Sequence, residues 1–166
     1  MKFLVKNNYL VTKSDSFKCA IGLGGLTTNK FEGDHCTPIG EFKFDKIYYR
    51  SDKLGKINFQ ISSAEISYND GWCDDPNDEF YNKFVKFPFE RSAEKLYRAD
   101  DLYDIICVMN YNTNPVLPGK GSAIFLHVCK DDFTPTEGCV AVKKVHLLKI
   151  LKDLNNSTIV KIENRK

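Results

Sequence analysis

Apolar residues recur along this chain in short runs broken by Gly, Pro, Asn and Asp, a rhythm that predicts strands and turns more than long helices. Residues 1–12 alternate loosely around Phe3, Val5, Tyr9 and Val11 and predict one or two short strands with a turn at Asn7-Asn8. A second apolar segment, Phe17 to Leu23, runs into the glycines Gly22, Gly24 and Gly25. Thr37-Pro38-Ile39-Gly40 reads as a turn that feeds a strand over Glu41–Tyr49, with Phe42, Phe44 and Ile47 on one side. Residues 70–90 are rich in Asp, Asn, Pro and aromatics and predict a long loop of the kind that carries binding groups. Ser92 to Tyr103, with Leu96, Tyr97 and Leu102 among charges, predicts a short helix capped by Ser92. Strands follow at Ile105–Asn110 and Ala123–His127, separated by a turn at Pro115–Gly121. From Lys143 to Leu154, Val145, Leu148, Leu151 and Leu154 recur with lysines between them and predict a helix with its apolar stripe on the core. Ser157–Glu163 reads as a last strand, so the pattern as a whole is β-rich with its topology open.

Composition narrows the class. With 166 residues, 42% hydrophobic and 28% charged, the chain is expected to form one domain, 1–166, large enough to bury a core. Its 24 basic and 22 acidic side chains leave a net charge of +2, so no nucleic-acid partner is implied. No apolar run approaches the roughly 20 residues of a membrane helix, and no transmembrane segment is expected. The N-terminal residues Met1 to Asn8 turn polar too early for a secretory signal. Six cysteines lie too far apart in sequence to suggest a disulfide scaffold, and Cys19 and Cys107, in strand-like apolar runs, are expected in the core.

The chemistry concentrates near the C-terminal end. His127 closes one apolar strand, and Cys139 follows twelve positions later, delivered by the turn Thr134-Pro135-Thr136-Glu137-Gly138. A thiol with an ordinary pKa of about 8.5 is a few per cent thiolate at neutral pH, and a neighbouring imidazole raises that reactivity. Gly138 allows a sharp turn and frees the amide groups of Gly138 and Cys139 to face an oxyanion. His35 and His146 compete with His127 as base, and His146 is expected to be exposed on its helix. A backbone carbonyl would serve to orient the base, while Asp131 and Asp132 read as solvated loop charges. Two rival chemistries are weaker. The spacings of His35, Cys36, His127, Cys129 and Cys139 match no zinc module, and no amphipathic helix follows the glycines to make a nucleotide loop.

These residues also carry a resemblance. The His127…Thr136-Glu137-Gly138-Cys139-Val140 segment is similar to the catalytic signature of the L,D-transpeptidase, or YkuD, family. So is the upstream block of Gly22, Gly24 and Gly25, Lys30, Gly33-Asp34, Thr37-Pro38, Gly40 and Phe42. Trp72-Cys73-Asp74-Asp75-Pro76, Tyr81-Asn82, Leu102-Tyr103-Asp104 and Gly119 to His127 resemble a compact single-domain branch of that family. The resemblance implies a mainly β fold, a sandwich of curled mixed sheets with one or two peripheral helices. It implies a cysteine acyltransferase of peptidoglycan peptide stems that works through a thioester, with Cys139 as nucleophile, His127 as base, and Gly138 and Thr136 positioning the oxyanion. Trp72, Asp74, Tyr81, Asn82 and Lys30 become candidate substrate contacts. No cofactor and no metal are implied, and the oligomeric state is left open. Val140 and Ala141 stand where many members carry an arginine soon after the cysteine, which leaves open transfer against L,D-carboxypeptidase action; a noncatalytic glycan-binding module is a further alternative. The resemblance implies the cell envelope or periplasm, whereas the polar N-terminus leaves the cytoplasm open.

Overall fold

The computed structural model describes residues 1–164; Arg165 and Lys166, the end of the span read as one domain, lie outside the described residues. The chain opens with β1 (Lys2–Lys6), β2 (Tyr9–Val11), β3 (Ser16–Ala20), the short β4 (Leu26–Thr27) and β5 (Thr37–Pro38), and the long β6 (Gly40–Tyr49). One turn of helix, α1 (Ser51–Leu54), precedes β7 (Ser63–Glu65), β8 (Asp70–Cys73), β9 (Phe84–Lys86), β10 (Ala93–Lys95) and β11 (Ile105–Met109). The last elements are β12 (Phe125–Val128), β13 (Val140–Val142), α2 (Lys144–Asp153) and β14 (Ile159–Ile162). The protein is mainly β, with curled sheets and two helices among the described residues.

Nine strands form one sheet in the order β11-β12-β13-β3-β2-β1-β14-β6-β7, and β11 also pairs with β6, so the sheet curls back on itself. The Asn7-Asn8 turn lies between paired Lys6 and Tyr9, and both asparagines have positive φ (52° and 60°), the geometry of a two-residue hairpin whose twist matches its strands. In β6, strict alternation would send Phe44 and Ile47 to opposite faces. A register irregularity opposite Val108 and Met109 inserts an extra residue, and both side chains reach the same core.

The main core is built from alternate residues of these strands, including Phe3, Val5, Leu10, Cys107, Leu126, Val140 and Val142, and α2 covers it. As expected, Cys19 and Cys107 are buried, and all six cysteines are unpaired. The helix turns a different stripe inward from the one read in the sequence: Leu147, Ile150, Leu151 and Leu154 are buried, whereas Val145 is 67% exposed. Steps of three residues fall about 60° short of a full turn each, so Val145 and Leu154 end up on opposite sides of the helix. His146 is half-buried, packed on Phe17 at 4.9 Å, and not exposed as expected.

Two further corrections concern the middle of the chain. Residues 70–90 hold β8 and β9, and Ser92–Tyr103 holds β10 and turns in place of a capped helix. These three strands form a second sheet, β10-β8-β9. It packs Trp72 and Leu96 against Tyr48, Ile106, Val108 and Phe125 to make a second apolar cluster, which also includes Cys139. β11 and β12 are therefore buried on both faces, which is why they read as unbroken apolar runs.

Candidate active site

β12 and β13 run parallel, with Leu126 opposite Val140 and His127 opposite Ala141. Leu126, Val128, Val140 and Val142 point into the main core. Alternation then sends Phe125, His127, Cys139 and Ala141 to the other face, toward the second sheet. His127 and Cys139 thus share a face on adjacent strands, two positions apart, a rise of about 6.6 Å. Both line one cleft of about 450 Å³.

The sulfur is held at the cleft floor. Cys139 is 8% exposed; its S–H donates to the Ala123 carbonyl at 3.0 Å, and the Phe125 N–H donates to Sγ at 3.3 Å. His127 Nδ1 faces two carbonyls, of Val128 at 2.8 Å and Leu102 at 3.2 Å. A carbonyl only accepts, so Nδ1 carries the proton and Nε2 keeps a lone pair. Backbone carbonyls therefore orient the imidazole. Burial pushes the Cys139 thiol up to about 12, helped by the charge of Glu94, and burial pulls His127 down to about 4. At rest the pair is a neutral thiol and a neutral imidazole.

The turn before the cysteine is clamped from several sides. Gly138 has φ +138°, and a Cβ there would lie 2.8 Å from the Cys36 carbonyl oxygen. Its N–H donates to Thr136 Oγ1 at 3.2 Å, and the Thr136 hydroxyl donates to the Cys139 carbonyl at 2.6 Å. The Gly138 amide is thus engaged within the turn, and Thr136 fixes the turn's shape. The glycine segment braces it: Thr136 N–H donates to Ile21 O at 2.9 Å and Leu23 N–H to Thr136 O at 2.9 Å. A Cβ on Gly22 would sit 2.2 Å from His35 O, the close backbone approach expected of those glycines.

A family model described as the L,D-transpeptidase catalytic domain, YkuD, matches residues 1–162. The chain belongs to the YkuD family. No curated protein matches the chain closely enough to count as a relative. Members of this family are usually enzymes that act on peptidoglycan stem peptides.

Against that family frame, the remaining expected site residues fall into two groups. Lys30 and Asp74 line the cleft. Lys30 is buried and bound to Asp34 at 2.6 Å, so it is part of the wall; Asp74 keeps a buried Oδ1 with no hydrogen-bond partner among the described residues. Trp72, Tyr81 and Asn82 are buried behind the wall instead of lining it. Asn82 Oδ1 accepts from Trp72 Nε1 at 3.0 Å and from Ala123 N–H at 2.9 Å, and Nδ2 donates to Tyr111 O and Asn112 O. The Tyr81 hydroxyl donates to Glu32, which does line the cleft. His35 sits at the rim with Nδ1 on the Glu137 carboxylate.

Glu94 and Arg98, both in the lining, were not singled out in the sequence, while Tyr103 and Ser122, also in the lining, stood there only within the resemblance and not as site residues. Glu94 and Arg98 lay in a segment read as a helix, where no cue set them apart from surface charges.

Proposed function

We propose that the chain is a cysteine acyltransferase of peptidoglycan peptide stems, an L,D-transpeptidase that works through a thioester on Cys139. The carrying observation is the placement of a thiol and an imidazole with a free Nε2 on one face of two paired strands, in one cleft. In the first half-reaction Cys139 Sγ attacks the stem carbonyl while its proton passes to His127 Nε2. The tetrahedral centre collapses, the C–N bond breaks, and His127 delivers the proton to the leaving amine. In the second, an amine attacks the thioester and the sulfur leaves. Water in place of the amine gives L,D-carboxypeptidase action, and which acceptor prevails is set on the acceptor side of the cleft. Such a substrate places the work at the cell envelope.

Incubation with defined stem tetrapeptides, read by intact mass of the protein and by the released products, tests this. A mass increase equal to the acyl stem, followed by loss to amine or water, is the expected result. Cys139→Ala removes the adduct entirely, whereas Cys129→Ala, also at the cleft, leaves it within about threefold. An adduct-free protein that binds the stem tightly would make it a binding module.

A further inference from the structure

The middle sheet brings a carboxyl group to the nucleophile. Glu94 pairs with Trp72 across β10 and β8, and its side chain lines the cleft that holds Cys139 and His127. The Tyr103 hydroxyl donates to Glu94 Oε2 at 2.8 Å. The Tyr103 ring stands edge-on to the His127 imidazole, with centroids 5.3 Å apart at 89°, and edge-on to Phe125 at 6.1 Å. One aromatic ring thus separates Glu94 from the imidazole.

Lys30, Arg98 and Lys130 line the same cleft, and Arg98 is the cation whose charge bears on Glu94. Asp74 and Glu32 also line the cleft, and their charges add to burial in pushing Glu94 up to about 7. The Tyr103 hydrogen bond and, after it, Arg98 work the other way, but the Arg98 guanidinium is bound to Asp100 at 2.6 Å and lies over the Tyr103 ring at 5.2 Å. Lys30 is committed to Asp34. Asp74 Oδ1 is buried with no partner among the described residues. Holding Tyr103 needs only an uncharged acceptor, so a carboxyl placed here carries a desolvation cost that a purely structural role does not require.

We propose that Glu94 is the acceptor-side base: its carboxylate receives the ammonium group of the incoming amine, takes one proton from it, and frees the neutral amine to attack the Cys139 thioester. This rests on the acyl-transfer reading above. The proton accounting closes. Glu94 takes one proton from R–NH3⁺; the nitrogen lone pair then forms the C–N bond as the C–S bond breaks. The nitrogen's surplus proton passes through His127 to the departing sulfur, and Glu94 returns its own proton to water. A carboxyl group near 7 holds a proton taken from an ammonium better than an ordinary carboxylate does.

The test uses Glu94→Gln, which keeps the shape and an acceptor for Tyr103. The protein is acylated with a stem tetrapeptide donor and chased with either of two nucleophiles: a stem peptide bearing a free amine, which is an ammonium at neutral pH, or hydroxylamine, which is uncharged. Glu94→Gln is expected to acylate and to react with hydroxylamine within about threefold of the parent, while transfer to the stem amine falls by roughly 100-fold or more. Glu94→Asp is expected to recover part of that loss. In the unmodified protein, transfer to the stem amine is expected to rise with pH and level off above about 7. A rise continuing to the amine's own pKa overturns the proposal, as does an equal loss with both nucleophiles, or no loss. If the parent forms no acyl-enzyme, the acyl-transfer reading falls and takes this one with it; normal acylation with an indifferent Glu94→Gln sinks this one alone.

Discussion

Cys139 and His127 are both shifted by burial, and in the direction that keeps each of them neutral. A preformed thiolate–imidazolium pair would require the opposite, a lowered thiol and a raised imidazole. In the proposed reaction the thiolate therefore arises only as the substrate carbonyl is attacked, with Nε2 as the proton acceptor. This has a kinetic consequence. The competent neutral form persists from His127 near 4 to the thiol near 12, so the acylation rate is expected to stay flat from about pH 5 to about pH 9 and to fall only toward pH 4. Single-turnover acylation followed by intact mass checks it. An acid limb centred on the ordinary histidine value of about 6.5 would mean that the imidazole is not desolvated as described. Gly138→Ala tests the same site through the backbone. At φ +138°, with a Cβ 2.8 Å from the Cys36 carbonyl, the alanine must displace the turn. Acylation is expected to drop by roughly 100-fold or more, since small misplacements of a nucleophile carry that cost.

At the level of elements, the small sheet β10-β8-β9 does the positioning, and Asn82 is its fastener. Its side chain is 4% exposed, its φ is +57°, and its amide makes four hydrogen bonds that join Trp72, Tyr111, Asn112 and Ala123. Ala123 supplies the carbonyl on which the Cys139 thiol rests. Asn82→Ala is expected to cost about 4 kcal/mol or more, from several buried groups left unpaired at about 1–3 kcal/mol each. Urea unfolding measures that loss, and acylation is expected to weaken with it. Trp72, Tyr81 and Asn82 stood out in the sequence, yet their place did not. Asp, Asn and Pro spell turns, strands of three or four residues leave little alternation to read, and the bonds that tie Asn82 to the cleft wall join residues up to 41 apart. By contrast, the glycine segment, β12 and the turn before Cys139 were legible because local rules determine them: close backbone approach, an apolar run, a small-residue turn. The inward face of α2 was misread by phase alone.

Across the whole molecule, buried His127 and half-buried Glu94, both in the cleft lining, set opposing pH responses of the fold. His127 lies at about 4 when folded against an ordinary 6.5, so between those values the unfolded chain binds more protons and stability rises with pH. Glu94 lies at about 7 when folded against an ordinary 4.5, so the folded chain binds more protons there and stability falls as pH rises. From about pH 4.5 to 6.5 the two slopes oppose each other, and the parent protein is expected to change little on their account. Single substitutions separate them. Glu94→Gln removes the falling slope and leaves stability rising with pH from about 4 to 6.5, with a gain over the parent of up to about 3 kcal/mol above pH 7. His127→Gln removes the rising slope and leaves stability falling from about 4.5 to 7. The carboxylates held low by lysine and arginine, Asp52 and Asp101 at about 2 among them, act below this window and are common to all three proteins. Urea midpoints taken at half-unit steps from pH 4 to 8 for the parent and both variants measure the two slopes directly. If the variants ran parallel to the parent throughout, neither group would be buried in the ionisation state assigned to it. The cleft would then lack the dry, low-dielectric floor on which the neutral thiol and imidazole depend.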